Sequence, residues 1–225
     1  SPEPVLSKGK GLNRFVWNLR YPTMPGATGV YIEASFDGHK AAPGNYSVVL
    51  KHGDQELNTQ FEILPNPLYE LDAKAYADYH SVMHKMETEL TEMHRLVNSL
   101  HGKQLQLGQL LSNLPVDEKY KAIKTNATAL LKQMKQWDED MVQRKSKAYD
   151  DVENFPNKFT AEYLFLINHT ESDIPKPNQP SLDRLEELNA AWKTLHARAI
   201  QMLDTDIPSL NKQLWDAGVG AIWKK

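Results

Sequence analysis

The chain has 225 residues, 40% of them hydrophobic and 24% charged, enough apolar material for one large or two small globular units. Its 26 Lys and Arg against 29 Asp and Glu leave a net charge of −3, which argues against the concentrated basic face that nucleic-acid phosphates require. There are no cysteines, so disulfides, thiolate metal ligands and cysteine nucleophiles are excluded, and no apolar stretch approaches the ~20 residues of a membrane span.

The chain opens at Ser1, its first methionine is Met24, and no leader pattern is visible; it reads as an excised segment of a larger protein. As far as about Leu64 the apolar period is two. Phe15, Trp17 and Leu19 alternate with Arg14, Asn18 and Arg20, and Val30, Ile32 and Ala34 predict a further strand before the turn dipeptide Asp37-Gly38. The strongest signal is a hairpin. Tyr46, Val48 and Leu50 alternate up to His52-Gly53-Asp54, and Leu57, Thr59, Phe61 and Ile63 alternate away, with Pro43-Gly44 launching the first strand. A sheet of about four such strands needs a second layer, so a small β-sandwich is expected, with Trp17, Tyr46 and Phe61 facing inward.

Leu64-Pro65-Asn66-Pro67 interrupts this pattern, because proline withholds an amide and biases the residue before it toward extended backbone. From about Asp72 the period becomes helical. Tyr79, Val82, Met86, Leu90, Met93, Val97 and Leu100 make one stripe; unbroken to Asn113 this helix is about 63 Å long, with a break expected near Gly102. A second stripe runs from Tyr120 through Leu130, Met134 and Trp137 to Ala148, with Asp117 as N-cap. Phe159–Ile167 predicts a short packed helix. A last stripe holds Leu185, Leu188, Trp192, Leu195, Ala199 and Met202, with Ser181 as N-cap, Pro208 as a kink and Gly218 as the stop. The expected fold is therefore α+β and multi-domain: a β-sandwich over residues 1–64, a Pro-rich linker over 65–71, and an antiparallel bundle of three long helices plus a short one over 72–225.

The search for chemistry yields little. His80 and His84 share a helical face with Glu87 one turn on, but two imidazoles fall short of the three or four ligands a metal needs, and His84 and Glu87 lie off the apolar stripe, on a face expected to be solvated. Glu87, Glu89 and Glu92, and then Asp138, Glu139 and Asp140, read as surface acids among lysines rather than as a catalytic pair. No GxSxG elbow, GxGxxG loop or P-loop is present. Trp137 and Trp192 belong to helical stripes, Trp223 is open to packing or an interchain contact, and the Asn-x-Ser/Thr triplets at Asn45, Asn126 and Asn168 read as chance matches. No catalytic, cofactor-binding or metal-binding residue is assigned, and no cofactor is expected.

The segments Gly11-Leu12-Asn13-Arg14-Phe15-Val16-Trp17-Asn18-Leu19-Arg20-Tyr21-Pro22 and Ala42-Pro43-Gly44-Asn45-Tyr46-Ser47-Val48-Val49-Leu50, then Phe61-Glu62-Ile63 and Asn66-Pro67, together resemble the C-terminal region of bacterial exported BNR-repeat proteins of the glycosyl hydrolase or sortilin-like kind. Leu210-Asn211-Lys212-Gln213-Leu214 followed by Gly218 resembles the end of the helical tail in those proteins. The resemblance implies an immunoglobulin-like form for the sandwich, a β-propeller upstream as its partner, and a periplasmic or secreted home. It also implies that any glycosidase-like activity would lie in the propeller. The leading expectation is a non-catalytic structural or interaction module, with a homo-oligomer through the helices as a further partner. A carbohydrate-binding accessory module is the alternative, and a glycosidase a third reading.

Overall fold

Alternation and turn chemistry produce the one sheet among the described residues, which in the computed structural model are 5–171 and 174–220. β1 (Gly44–His52) and β2 (Gln55–Ile63) pair antiparallel, with Tyr46 opposite Phe61 and Leu50 opposite Leu57. The chain reverses through Gly53-Asp54, where Gly53 has φ 56° and Asp54 stays at negative φ, as a type II′ turn requires. The remainder is mostly helical, so the architecture is mixed α+β.

The expected sandwich is not formed among the described residues, because no second sheet faces the hairpin. Residues 11–20 form no strand and turn at Leu19, whose φ is 59°; their one ladder contact is a single bridge between Arg20 and Lys40. Residues 20–41 instead fold back on themselves as a loose ribbon: Tyr21 N–H donates to His39 O (3.0 Å) and Met24 N–H to Phe36 O (2.8 Å). Pro22 and Pro25 have no amide to donate, so a regular ladder cannot propagate along this ribbon. Its reversal lies at Ala27–Val30, with Gly29 at φ 71°, not at the predicted Asp37-Gly38. Gly38 serves a close approach: a Cβ there would lie 2.5 Å from Tyr21 O. The alternation of Val30, Ile32, Ala34 and Phe36 is real, but those side chains pack onto helices rather than onto a second sheet.

α1 (Ala73–Asn113) starts where Asp72 accepts the Ala75 amide and continues for 41 residues, about 62 Å. The break expected at Gly102 does not occur. Each helical glycine costs only about 1 kcal/mol, and the buried Leu100 and Leu107 hold the turns on either side. Asp117 caps a 3₁₀ turn that leads into α2 (Lys121–Met141). That helix stops short of the predicted Ala148. Val142 turns extended, and Thr160 Oγ1 donates to the Met141 carbonyl (3.0 Å), satisfying one of the groups a helix end leaves open.

α3 (Phe159–Thr170) is the short apolar helix. α4 (Gln179–Gln201) is capped by Asn178, which accepts the Ser181 amide; Ser181, the expected cap, already lies inside, and Pro180 occupies the first turn. Pro208 interrupts the last helix through a π-turn over Met202–Asp206, in which Ile207 N–H reaches back five residues to Met202 O, and α5 (Ile207–Asp216) follows. Gly218 at φ 73° ends α5 in a Schellman arrangement, with Val219 N–H donating to Leu214 O and Gly218 N–H to Trp215 O. Trp223 lies outside the described residues.

The predicted stripes close on one another inside a single core. Met83, Leu90, Met93 and Leu107 of α1 join Trp137 and Met134 of α2, Tyr163 of α3 and Leu214 of α5, and the ribbon adds Met24 and Ala27. Asn126–Gln213 and Trp137–Leu195 contacts show α2 running antiparallel to the final helical stretch.

Candidate functional site

Side chains of the helices and of the loop after α2 do for the ribbon what a neighbouring strand would do. Asn168 of α3 accepts the Ser35 amide (2.8 Å) and donates to the Ser35 carbonyl (2.9 Å). Asn98 of α1 treats Thr28 N–H and Gly26 O in the same way, at 2.7 and 3.3 Å. His94 Nδ1–H donates to Pro25 O (2.8 Å), Arg144 to Thr28 O and Lys147 to Gly29 O. Arg20 clamps Glu171 through both carboxylate oxygens and also holds Gly38 O. An irregular segment can lie on a core only if its backbone polar groups are satisfied, and these side chains satisfy them.

The tightest fastening is a polar chain through His39, whose side chain is fully buried. Glu87 Oε1 accepts both the His39 backbone amide (2.7 Å) and His39 Nδ1–H (2.8 Å). With Nδ1 committed as donor, Nε2 of neutral His39 is an acceptor, and it lies 2.8 Å from His80 Nδ1. Tyr21 stacks on His39 at 4.4 Å and lies 5.0 Å from His80, while His84 stacks beneath His80 at 5.7 Å. Burial first, then His39 and His84, hold the His80 imidazole below the ordinary histidine range, with Glu87 opposing. Burial also pushes the neighbouring Tyr79 phenol up.

These positions correct part of the sequence reading. His84 is exposed as expected, but Glu87 is buried against the ribbon rather than solvated, and His80 is half-buried. Among the described residues no group of three His, Asp or Glu side chains is placed to hold a metal ion. The other acids engage separate partners. Glu89 accepts from Trp192 Nε1, Glu92 pairs with Arg95, Asp140 pairs with Arg198, and the buried Asp138 is clamped at two points by Arg144.

Beyond the His39 end of the ribbon the hairpin projects beside the helices with its apolar face largely open. Trp17 covers only the base of that face, at 5.8 Å from the Tyr46 ring and 6.1 Å from Phe61, and all three are half-buried rather than core. Beyond them Val48 is 50% exposed, Leu50 47% and Leu57 70%. Where the hairpin meets the bundle a cleft of about 640 Å³ opens between Leu19, Pro43, Ile63, Leu68, Tyr76 and Ile174.

No helix among the described residues is long and apolar enough to cross a membrane. No family model, curated protein or solved structure matches the chain. The sequence places His80 and Glu87 on one helical face, but nothing in it brings His39, 41 and 48 residues away, against them. The apolar face of the hairpin was legible from alternation alone.

Proposed function

We propose that this chain is a non-catalytic structural and interaction module of a larger exported protein, in which the helices form a rigid platform and the hairpin is the docking element. The observation that carries this reading is the open apolar face at Val48, Leu50 and Leu57. A two-stranded hairpin is marginal in water without a layer against its apolar face, and covering the exposed part of each of these side chains is worth about 1–2 kcal/mol. The missing layer of the expected sandwich would then come from the partner. The resemblance to exported BNR-repeat proteins nominates an upstream β-propeller region of the same protein, and with it a periplasmic or secreted setting.

The test is binding in trans between this chain and the segment encoded directly upstream of it. Saturable binding that weakens more than about a hundredfold in the Leu50→Lys, Leu57→Lys double variant is the expected result, since two apolar anchors are worth about 3 kcal/mol together. The absence of binding, or binding indifferent to both lysines, would overturn the proposal. Trp17, Tyr46 and Phe61 pack on one another, so no open aromatic platform in the hairpin favours the carbohydrate-binding alternative.

A further inference from the structure

The Glu87–His39–His80 chain is more elaborate than a fastening requires. A plain carboxylate–amide bond would hold the ribbon equally well, yet a wholly buried imidazole is interposed and bonded to a second imidazole that reaches the surface. We infer that this chain is an acid-sensitive latch, which holds residues 20–22 and 37–41 on α1 while the two imidazoles share at most one proton between them and releases those residues when both are protonated.

The argument is one of proton count. An N···N contact of 2.8 Å is a hydrogen bond only with a single proton between the nitrogens. With both rings neutral, His80 Nδ1–H donates to His39 Nε2. With one added proton the bond survives: either His80 carries the proton on its far nitrogen, or His39 becomes the cation against Glu87 and its Nε2–H donates to His80 Nδ1. A second proton places N–H against N–H. The bond is then lost, and two cations face each other with ring centroids 5.0 Å apart. The contact therefore tolerates one added proton and not two.

The surroundings set which side gives way. On α1, Glu87 is the one carboxylate bonded to the pair among the described residues, His84 stacks on His80, and Tyr79 stays a neutral phenol. On the ribbon, Tyr21 covers both rings, Arg20 is bound to Glu171 at the end of α3, and Lys40, which follows His39 directly, is itself engaged and adds no free charge to the pair. Thus Glu87 compensates one positive charge, and the two imidazolium rings repel each other. α1 is a continuous helix with its apolar face buried, whereas the ribbon has no secondary structure of its own. Release therefore falls on the ribbon, whose two ends run into the hairpin region. The inference does not depend on what the hairpin docks against.

The test is hydrogen exchange on the whole chain at pH 7.5 and 5.0, corrected for intrinsic exchange rates, in wild type and in His80→Asn. Asn can donate to or accept from His39 without titrating. In wild type, the hydrogen-bonded amides of Tyr21, His39 and Ala41 should lose at least tenfold protection at pH 5.0 while buried α1 amides keep theirs; His80→Asn should keep them protected. Unchanged ribbon protection in wild type, or equal loss in both proteins, overturns the latch. If His80→Asn fails to fold, histidine NMR on wild type decides: two coupled steps shared by His39 and His80 support it, and independent single titrations overturn it.

Discussion

Asn168 shows how a single side chain can replace a strand. By accepting the Ser35 amide and donating to the Ser35 carbonyl it supplies both halves of a ladder rung to a ribbon whose prolines prevent regular pairing. Asn168→Ala should lower stability by about 1–2 kcal/mol, measured by urea unfolding, since two modest hydrogen bonds are lost together. Gly38 makes the opposite kind of demand. Its missing side chain lets Tyr21 O approach, and a Cβ would stand 2.5 Å from that oxygen. Gly38→Ala should therefore cost about 1–3 kcal/mol through backbone displacement, and the same unfolding curves would show it. Neither role could be read from the sequence. Asn168 stood out only as part of an Asn-x-Thr triplet and Gly38 only as half of a turn dipeptide, because both act on backbone atoms more than fifteen residues away, beyond the reach of any local pattern.

The elements with strong periods were the legible ones. The helical stripes of Leu90, Trp137 and Trp192, the hairpin alternation around Gly53-Asp54 and the stop at Gly218 all follow from local geometry that repeats over many residues. The failures occurred where local pattern and global packing pulled apart. Val30, Ile32 and Ala34 alternate as strand residues do, but the surface they meet is helical. Gly102 carries a breaker's propensity, yet a 41-residue helix with buried neighbours on both sides outweighs a cost of about 1 kcal/mol. This gives a prediction at the same scale. An added Cβ at Gly102 or Gly108 meets nothing within 4 Å, so Gly102→Ala and Gly108→Ala should each raise stability by about 0.5–1 kcal/mol, seen as a higher thermal midpoint. A loss would mean that α1 needs its glycines for a bend.

Across the whole molecule, the predictions rest on its buried histidines and on the open face of the hairpin. His80, His94 and His101 are all held below the ordinary histidine range, with burial the largest cause in each. Below about pH 6.5 the unfolded chain therefore takes up protons that the folded chain refuses. Stability should be full above that pH, fall as pH drops through the interval between unfolded and folded values, and then level off. His94→Phe should flatten the slope by one proton, and a profile that rises on acidification would contradict the burial of these rings. The central claim concerns the hairpin, and it is tested most directly by hydrogen exchange at β1 and β2 in this chain alone and in the proposed longer protein that carries an upstream region. The account predicts that these amides exchange far faster than those of α1 in the isolated chain and slow by at least tenfold in the longer protein. Equal exchange in both settings would mean that nothing upstream covers the hairpin and would contradict its role as the docking element.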